Sequence, residues 1–286
     1  MNSHVKGILI TALGVLIVTP DSLFVRLIDG DPLVTGFWRG LIAGLVVFIA
    51  VLLFQGPRAF SVVFRSGKPG LIYMVLVAST APAFALAVTN TSVANVVFIL
   101  AATPIFAAIY SRIFLGEPIE RRMVLTLIVV VIGLGVITIG SSESEIASWK
   151  GDLWAVYIAA AFAAALTAVR KIKDVSMVPA VPFAYIGAAL VLLLFTSPFE
   201  AFAANWPLYL GHGVMIGAAS CLLTLGPRYI TSAEVSLLVL LESVLAPILV
   251  WWVLGEDPGP LAIAGGAMVI VALLVSNYFA VRATRV

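Results

Sequence analysis

The sequence predicts an all-α polytopic membrane protein: ten transmembrane helices in two inverted five-helix repeats, with both termini cytoplasmic. Three observations carry that prediction. Of 286 residues, 62% are apolar and only 10% are charged. An ordinary soluble domain has about 25% charged residues and needs them to cover its surface. The apolar residues fall into ten continuous stretches, each near the length of about 20 residues that a helix needs to cross the hydrocarbon core. Short segments also recur about half a chain apart.

Taken in order, the stretches are Val5–Ile28, Thr35–Phe54, Gly70–Val88, Ser92–Leu115, Arg122–Ile139, Gly151–Val169, Pro179–Thr196, Pro207–Tyr229, Ala233–Leu254 and Pro260–Val281. The first has the outline of a signal peptide, with Lys6 before an apolar run. Pro20, Asp21 and Arg26 follow it without a small-x-small cleavage site, so it reads as a retained helix. Gly36, Gly40 and Gly44 in the second span, and Gly213 and Gly217 in the eighth, form small-xxx-small steps that let another helix come close. A β-barrel is excluded by the pattern, because barrel strands alternate polar and apolar residues in short segments.

Twelve of the sixteen Lys and Arg residues fall at one side of this arrangement: Lys6, Arg58, Arg65, Lys68, Arg121, Arg122, Arg170, Lys171, Lys173, Arg228, Arg282 and Arg285. The other side holds Lys150. The positive-inside rule then makes both termini cytoplasmic. All six tryptophans lie near span ends on the sparse side, as an interfacial belt does.

Leu115-Gly116-Glu117 returns as Leu254-Gly255-Glu256, 139 residues on, and Thr91-Ser92 as Thr231-Ser232, 140 residues on. Gly7 and Arg26 match Gly151 and Arg170 at 144. Two units follow, 1–144 and 145–286, joined at the polar Ser141-Ser142-Glu143-Ser144-Glu145. Five is odd, so the second unit enters the membrane from the opposite side. Inverted repeats of this kind are common in secondary transporters, which hold substrate between the halves near mid-membrane.

Several side chains are candidates for chemistry. Glu242 lies near the middle of the ninth span, where a carboxylate is costly unless paired, protonated or facing a wet cavity. It reads as a proton-coupling or substrate-amine site, or as a protonated carboxyl bonded to a backbone carbonyl. Pro247 frees the carbonyl of Ser243 beside it, and Pro104 frees that of Leu100, so both prolines read as hinges. Tyr73, Thr80 and Phe84 in the third span, Asn95, Thr103, Phe106 and Tyr110 in the fourth, His212 in the eighth and Ser243 in the ninth are cavity candidates. An apolar pocket with a few convergent polar groups suits an amphipathic small molecule. Ordinary packing, with Ser and Thr bonded to their own helix, is the plainer reading. Asp21, Arg26 and Arg39 lie toward the outer side as an ion pair or outer gate, and Arg39 also offers a guanidinium fork to a substrate carboxylate.

The motifs that are missing narrow the classes further. No Walker loop, His-Glu-x-x-His or Gly-x-Ser-x-Gly motif occurs, so the chain reads as neither an ATPase nor a hydrolase. Two histidines and one cysteine support no metal site, and no cofactor is implied. A net charge of +2 is too small for nucleic-acid binding. The expected partners are the bilayer, a small-molecule substrate and protons.

Ten helices in two halves, each closing its fourth helix with Leu-Gly-Glu, resemble the drug/metabolite transporter superfamily, EamA branch. The most specific part is Glu242-Ser243-Val244-Leu245-Ala246-Pro247 followed by Leu254-Gly255-Glu256, with Trp38-Arg39 early in the second helix. Within that branch the chain is most similar to YddG-type exporters of aromatic and other neutral amino acids. The resemblance implies a cavity lined by helices 1, 3, 4, 6, 8 and 9, gates at 2 and 7, and a scaffold of 5 and 10. It implies export of small neutral amphipathic metabolites across the inner membrane by alternating access. A multidrug exporter is the alternative, although the chain has no glutamate deep in its first helix as small multidrug relatives do. A nucleotide-sugar substrate would want basic residues at mid-membrane, and a membrane receptor or assembly factor is the alternative outside transport.

Overall fold

The computed structural model describes residues 3–90, 96, 99–140, 149–255 and 259–283. The described residues are helices joined by short turns, with no strand among them. The first apolar stretch is two helices, α1 (Ser3–Val18) and α2 (Asp21–Ile28). Pro20 lies between them and has no N–H with which to continue the ladder. Asp31 caps α3 (Pro32–Gln55), its carboxylate accepting from the amides of Leu33 and Val34, and Pro32 occupies the first turn, where its missing donor costs nothing. A 3₁₀ turn and α4 (Ser61–Arg65) follow, and the chain then bends by 102° into the next helix, α5 (Gly67–Asn90).

The fourth stretch ends in α6 (Thr103–Tyr110), prolonged by a π turn, Ser111–Leu115. Then come α7 (Arg121–Gly140), α8 (Trp149–Lys171), α9 (Val181–Leu192) and α10 (Phe199–Leu225). Helix α10 is kinked at Asn205, two residues before Pro207. The ninth stretch is again two helices, α11 (Ser232–Val239) and α12 (Leu241–Leu254), and α13 (Gly259–Ala283) closes the chain. Gly116 and Gly255, the glycines of the repeated Leu-Gly-Glu, end their helices in the left-handed region at φ +70° and +74°. Glycine adopts that conformation without the Cβ clash. Glu256 and Asn95 lie outside the described residues.

Among the described residues, five helical segments are long and apolar enough to cross a membrane, six when the bent pair at 57–84 counts as one. Thr103–Leu115, Val178–Leu192 and Ile263–Ser276 are shorter apolar helices. The surface confirms the solvent: Phe54, Phe64, Leu194 and Trp252 are each at least 80% exposed, in a molecule whose surface only lipid would tolerate. The interior is built from small residues. Ala155, Ala159, Ala163 and Ala165 of α8 are fully buried, which lets neighbouring backbones approach closely.

The helices pair in a regular way. Helix α5 packs on α8 and α1 on α10; α3 packs on α10 and α9 on α5; α6 packs on α8 and α11 on α1. Three further pairings, α3 with α9, α7 with α13, and α6 with α11, are each their own counterpart when first-half helices are exchanged for second-half ones. The glycine steps serve these contacts: Gly40 and Gly44 face α9, and Gly213 and Gly217 face α3, so both stripes are used inside the chain.

Candidate gating and coupling site

The helical hydrogen bonding of two spans is interrupted at matching positions, where the backbone angles stay helical. In the fourth, Ala101 and Ala102 form a turn closed by short bonds from Ala102 N to Ile99 O (3.0 Å) and Ile105 N to Ala102 O (2.9 Å). Pro104 cannot serve the carbonyl of Leu100, and the Thr103 hydroxyl donates to it instead at 2.6 Å. In the ninth, the break falls at Leu240, with bonds from Leu240 N to Leu237 O (3.2 Å) and Ser243 N to Leu240 O (3.1 Å). Leu240 is 139 residues after Ala101, the same offset as Leu-Gly-Glu, and Glu242 then matches Thr103. The break lies seven residues before Pro247, whose backbone is inside α12.

Glu242 therefore lies in mid-span, two residues past this interruption. It is half-buried, and α12 packs on α2. Asp21 opens α2, and Arg39 lies on α3. Those two residues form a two-pronged pair: Arg39 Nη2 donates to Asp21 Oδ2 at 2.7 Å and Nε to Oδ1 at 3.1 Å. Nε2 of His212 meets the same carboxylate, and Phe24 stacks on the imidazole at 5.3 Å. His212 is fully buried, and its Nδ1 has no hydrogen-bond partner among the described residues. Helices α2, α3 and α10 thus meet at one carboxylate. Arg26 lies in the last turn of α2.

The other cavity candidates are dispersed. Tyr73 is buried and its hydroxyl bonds Thr224 at 2.9 Å. Thr80 donates to the carbonyl of Val77. Phe84 is exposed. Phe106 and Tyr110 stack at 6.2 Å against the packed core of α6, α7, α11 and α13. Ser243 is half-buried beside the break.

A second polar cluster went unread in the sequence. Glu234 Oε1 accepts from Arg122 Nη2 at 2.8 Å and meets His4 Nε2 at 3.1 Å. Its Oε2 accepts from the amide and hydroxyl of Thr231, which in turn caps the Glu234 amide at 3.2 Å. The Thr-x-x-Glu spacing before an apolar run is the visible signal, since it marks a capping box. Beside it lies a small recess lined by Glu120, Arg122, Thr231, Glu234 and Ser276. Nearby, Arg170, the match of Arg26, donates to Glu117 at 2.8 Å and to the carbonyl of Pro227 at 3.0 Å. Among the described residues, no group of three or more His, Cys, Asp or Glu is placed to hold a metal.

The EamA-like transporter family matches residues 5–139 and, separately, 149–278. The chain belongs to the EamA-like transporter family. It is a multi-pass membrane protein of a family of transporters, not enzymes. This EamA protein is 27% identical to the pseudopaline exporter CntI of Pseudomonas aeruginosa (strain UCBPP-PA14) over 83% of each chain. A solved crystal structure shares its fold with TM-score 0.82 at 16% identity, covering 98% of this chain and 99% of the other.

Proposed function

We propose that this EamA protein is a secondary transporter of the inner membrane that exports small neutral amphipathic metabolites, first among them aromatic and other neutral amino acids. Two five-helix halves, 1–144 and 145–286, of opposite orientation rock about the broken fourth and ninth spans, and both termini are cytoplasmic. The symmetric helix pairings and the two family matches support the two-half reading. One observation carries the mechanism: Glu242, an ionisable side chain, lies in mid-span two residues after an interruption of the helical hydrogen bonding at Leu240 that is matched at Ala101. A carboxylate held in mid-span between the halves is where a transporter exchanges protons or an amine. Asp21, Arg39 and His212 close the outer side above it.

The relationship to a pseudopaline exporter favours a second reading, in which the cargo is pseudopaline or a metabolite like it. Purified protein in liposomes, given labelled amino acids and pseudopaline with and without a pH gradient, separates the two. Saturable amino-acid flux that follows the gradient and loses that response in Glu242→Gln is the expected result. Pseudopaline flux alone assigns the second reading, and flux of neither under any gradient overturns both and turns the search to cationic drugs.

A further inference from the structure

Two polar clusters lie at the two ends of α1 and share one arrangement, with the difference that Arg122 also meets Glu120 through its Nε. In each, one carboxylate is shared by a histidine Nε2 and an arginine guanidinium: Asp21 by His212 and Arg39, Glu234 by His4 and Arg122. His4 lies at the start of α1 and Asp21 just past its end. A 16-residue helix is about 24 Å long, so the first span is tied at both ends. Each cluster also joins the two parts of the chain that match the family separately. Asp21 and Arg39 lie in the first and His212 in the second; Arg122 lies in the first, with His4 just before it, and Glu234 in the second.

We propose that His4, Arg122 and Glu234 form a gate matched to Asp21, Arg39 and His212, and that transport proceeds by opening one of these two latches at a time. This rests on the alternating-access reading. A carboxylate bridging a cation and an imidazole makes charge-assisted contacts that are strong and directional, and the ones that cross between the halves, His212 to Asp21 and Glu234 to Arg122 and His4, break when the halves separate. The contacts of both latches are made in this structure. Rocking that pulls His212 from Asp21 opens one face, and rocking that pulls Glu234 from Arg122 and His4 opens the other. Glu117 and Arg170 are a second strut across the Glu234 end, and Ser276 braces Arg122 there through its carbonyl at 3.3 Å.

Neutralising each carboxylate is the test, because two gates respond with opposite signs. The reporter is Ser243→Cys in a Cys221→Ser background, labelled by a membrane-impermeant maleimide in right-side-out and in inverted membrane vesicles. Asp21→Asn is expected to raise labelling from one face about tenfold and lower it from the other, the population change that follows a loss of about 1.4 kcal/mol in one closed latch. Glu234→Gln is expected to do the reverse. Glutamine still completes a capping box, so that variant keeps the start of α11. Adding Glu117→Gln enlarges the Glu234→Gln shift in the same direction, and the Asp21→Asn, Glu234→Gln double variant returns the ratio toward wild type. If Asp21→Asn does not fold, His212→Gln, which retains a donor, reports the same latch with a smaller shift. Shifts of the same sign from both latches, or no shift in folded protein, overturn the proposal. Labelling needs no substrate, so failure of the substrate assignment leaves this result readable.

Discussion

The pair between Asp21 and Arg39 shows what a charge does when it is placed within a span. Both side chains are about one quarter exposed, and each would be costly there alone. Together, with His212 on the same carboxylate, they satisfy one another. Removing one partner leaves the other uncompensated, which costs about 3 kcal/mol or more, whereas removing both is far milder. Asp21→Asn is therefore expected to lower the thermal midpoint in detergent markedly, and Asp21→Asn with Arg39→Gln to recover much of the loss. A double-mutant cycle read by thermal unfolding checks this, and additive losses would deny the pairing. Of this cluster the sequence shows the charges and their depth, because the apolar runs place Asp21, Arg39 and His212 toward one side. It does not show that His212 meets Asp21, 191 residues away, because that contact depends on how α10 packs on α2.

At the scale of helices, close approach is the organising physics, and the glycines measure it. A Cβ added at Gly213 would lie 2.5 Å from Ile42 Cβ and 3.1 Å from Ala43 N, against the side chain and backbone of α3. One added at Gly36 would meet only Leu192 Cδ1 at 3.3 Å, the end of a flexible side chain. Gly213→Ala should push α10 off α3 and cost about 1–3 kcal/mol, as overpacking does. Gly36→Ala should be neutral or gain a few tenths to about 1 kcal/mol from helix propensity. Thermal unfolding of the two variants side by side reads the difference; equal effects would mean that the stripes do not set the helix spacing. Both stripes were visible as small-xxx-small spacing, but their partners were not. The break at Ala101–Ala102 was signposted by Pro104. The break at Leu240 was not, since Val239-Leu240-Leu241 has no residue that opposes a helix, and its place is set by packing against the first half.

For the whole molecule, the apolar runs made the fold class and most span limits legible, because lipid imposes length and composition on each helix. The divided first and ninth spans lay beyond reach, since hydropathy averages across a break. Orientation is the property the charges address most directly. Arg122, Arg170 and Arg228 are tied to Glu234, Glu117 and the backbone at Lys173 and Asp174, on connections that the hydropathy order places at one end with the N-terminus. In that hydropathy order twelve of the sixteen cations fall at that end, and translocating such loops is disfavoured. A fluorescent protein fused at the C-terminus of this EamA protein should therefore fluoresce, and alkaline phosphatase fused there should be inactive. Phosphatase inserted after Ser148, at the opposite end, should be active. The reverse pattern would turn the molecule over in the bilayer. The latch of Asp21, Arg39 and His212 would then face the cytoplasm and serve as the entry gate for an exporter, while the one-at-a-time rule for the two latches would stand unchanged.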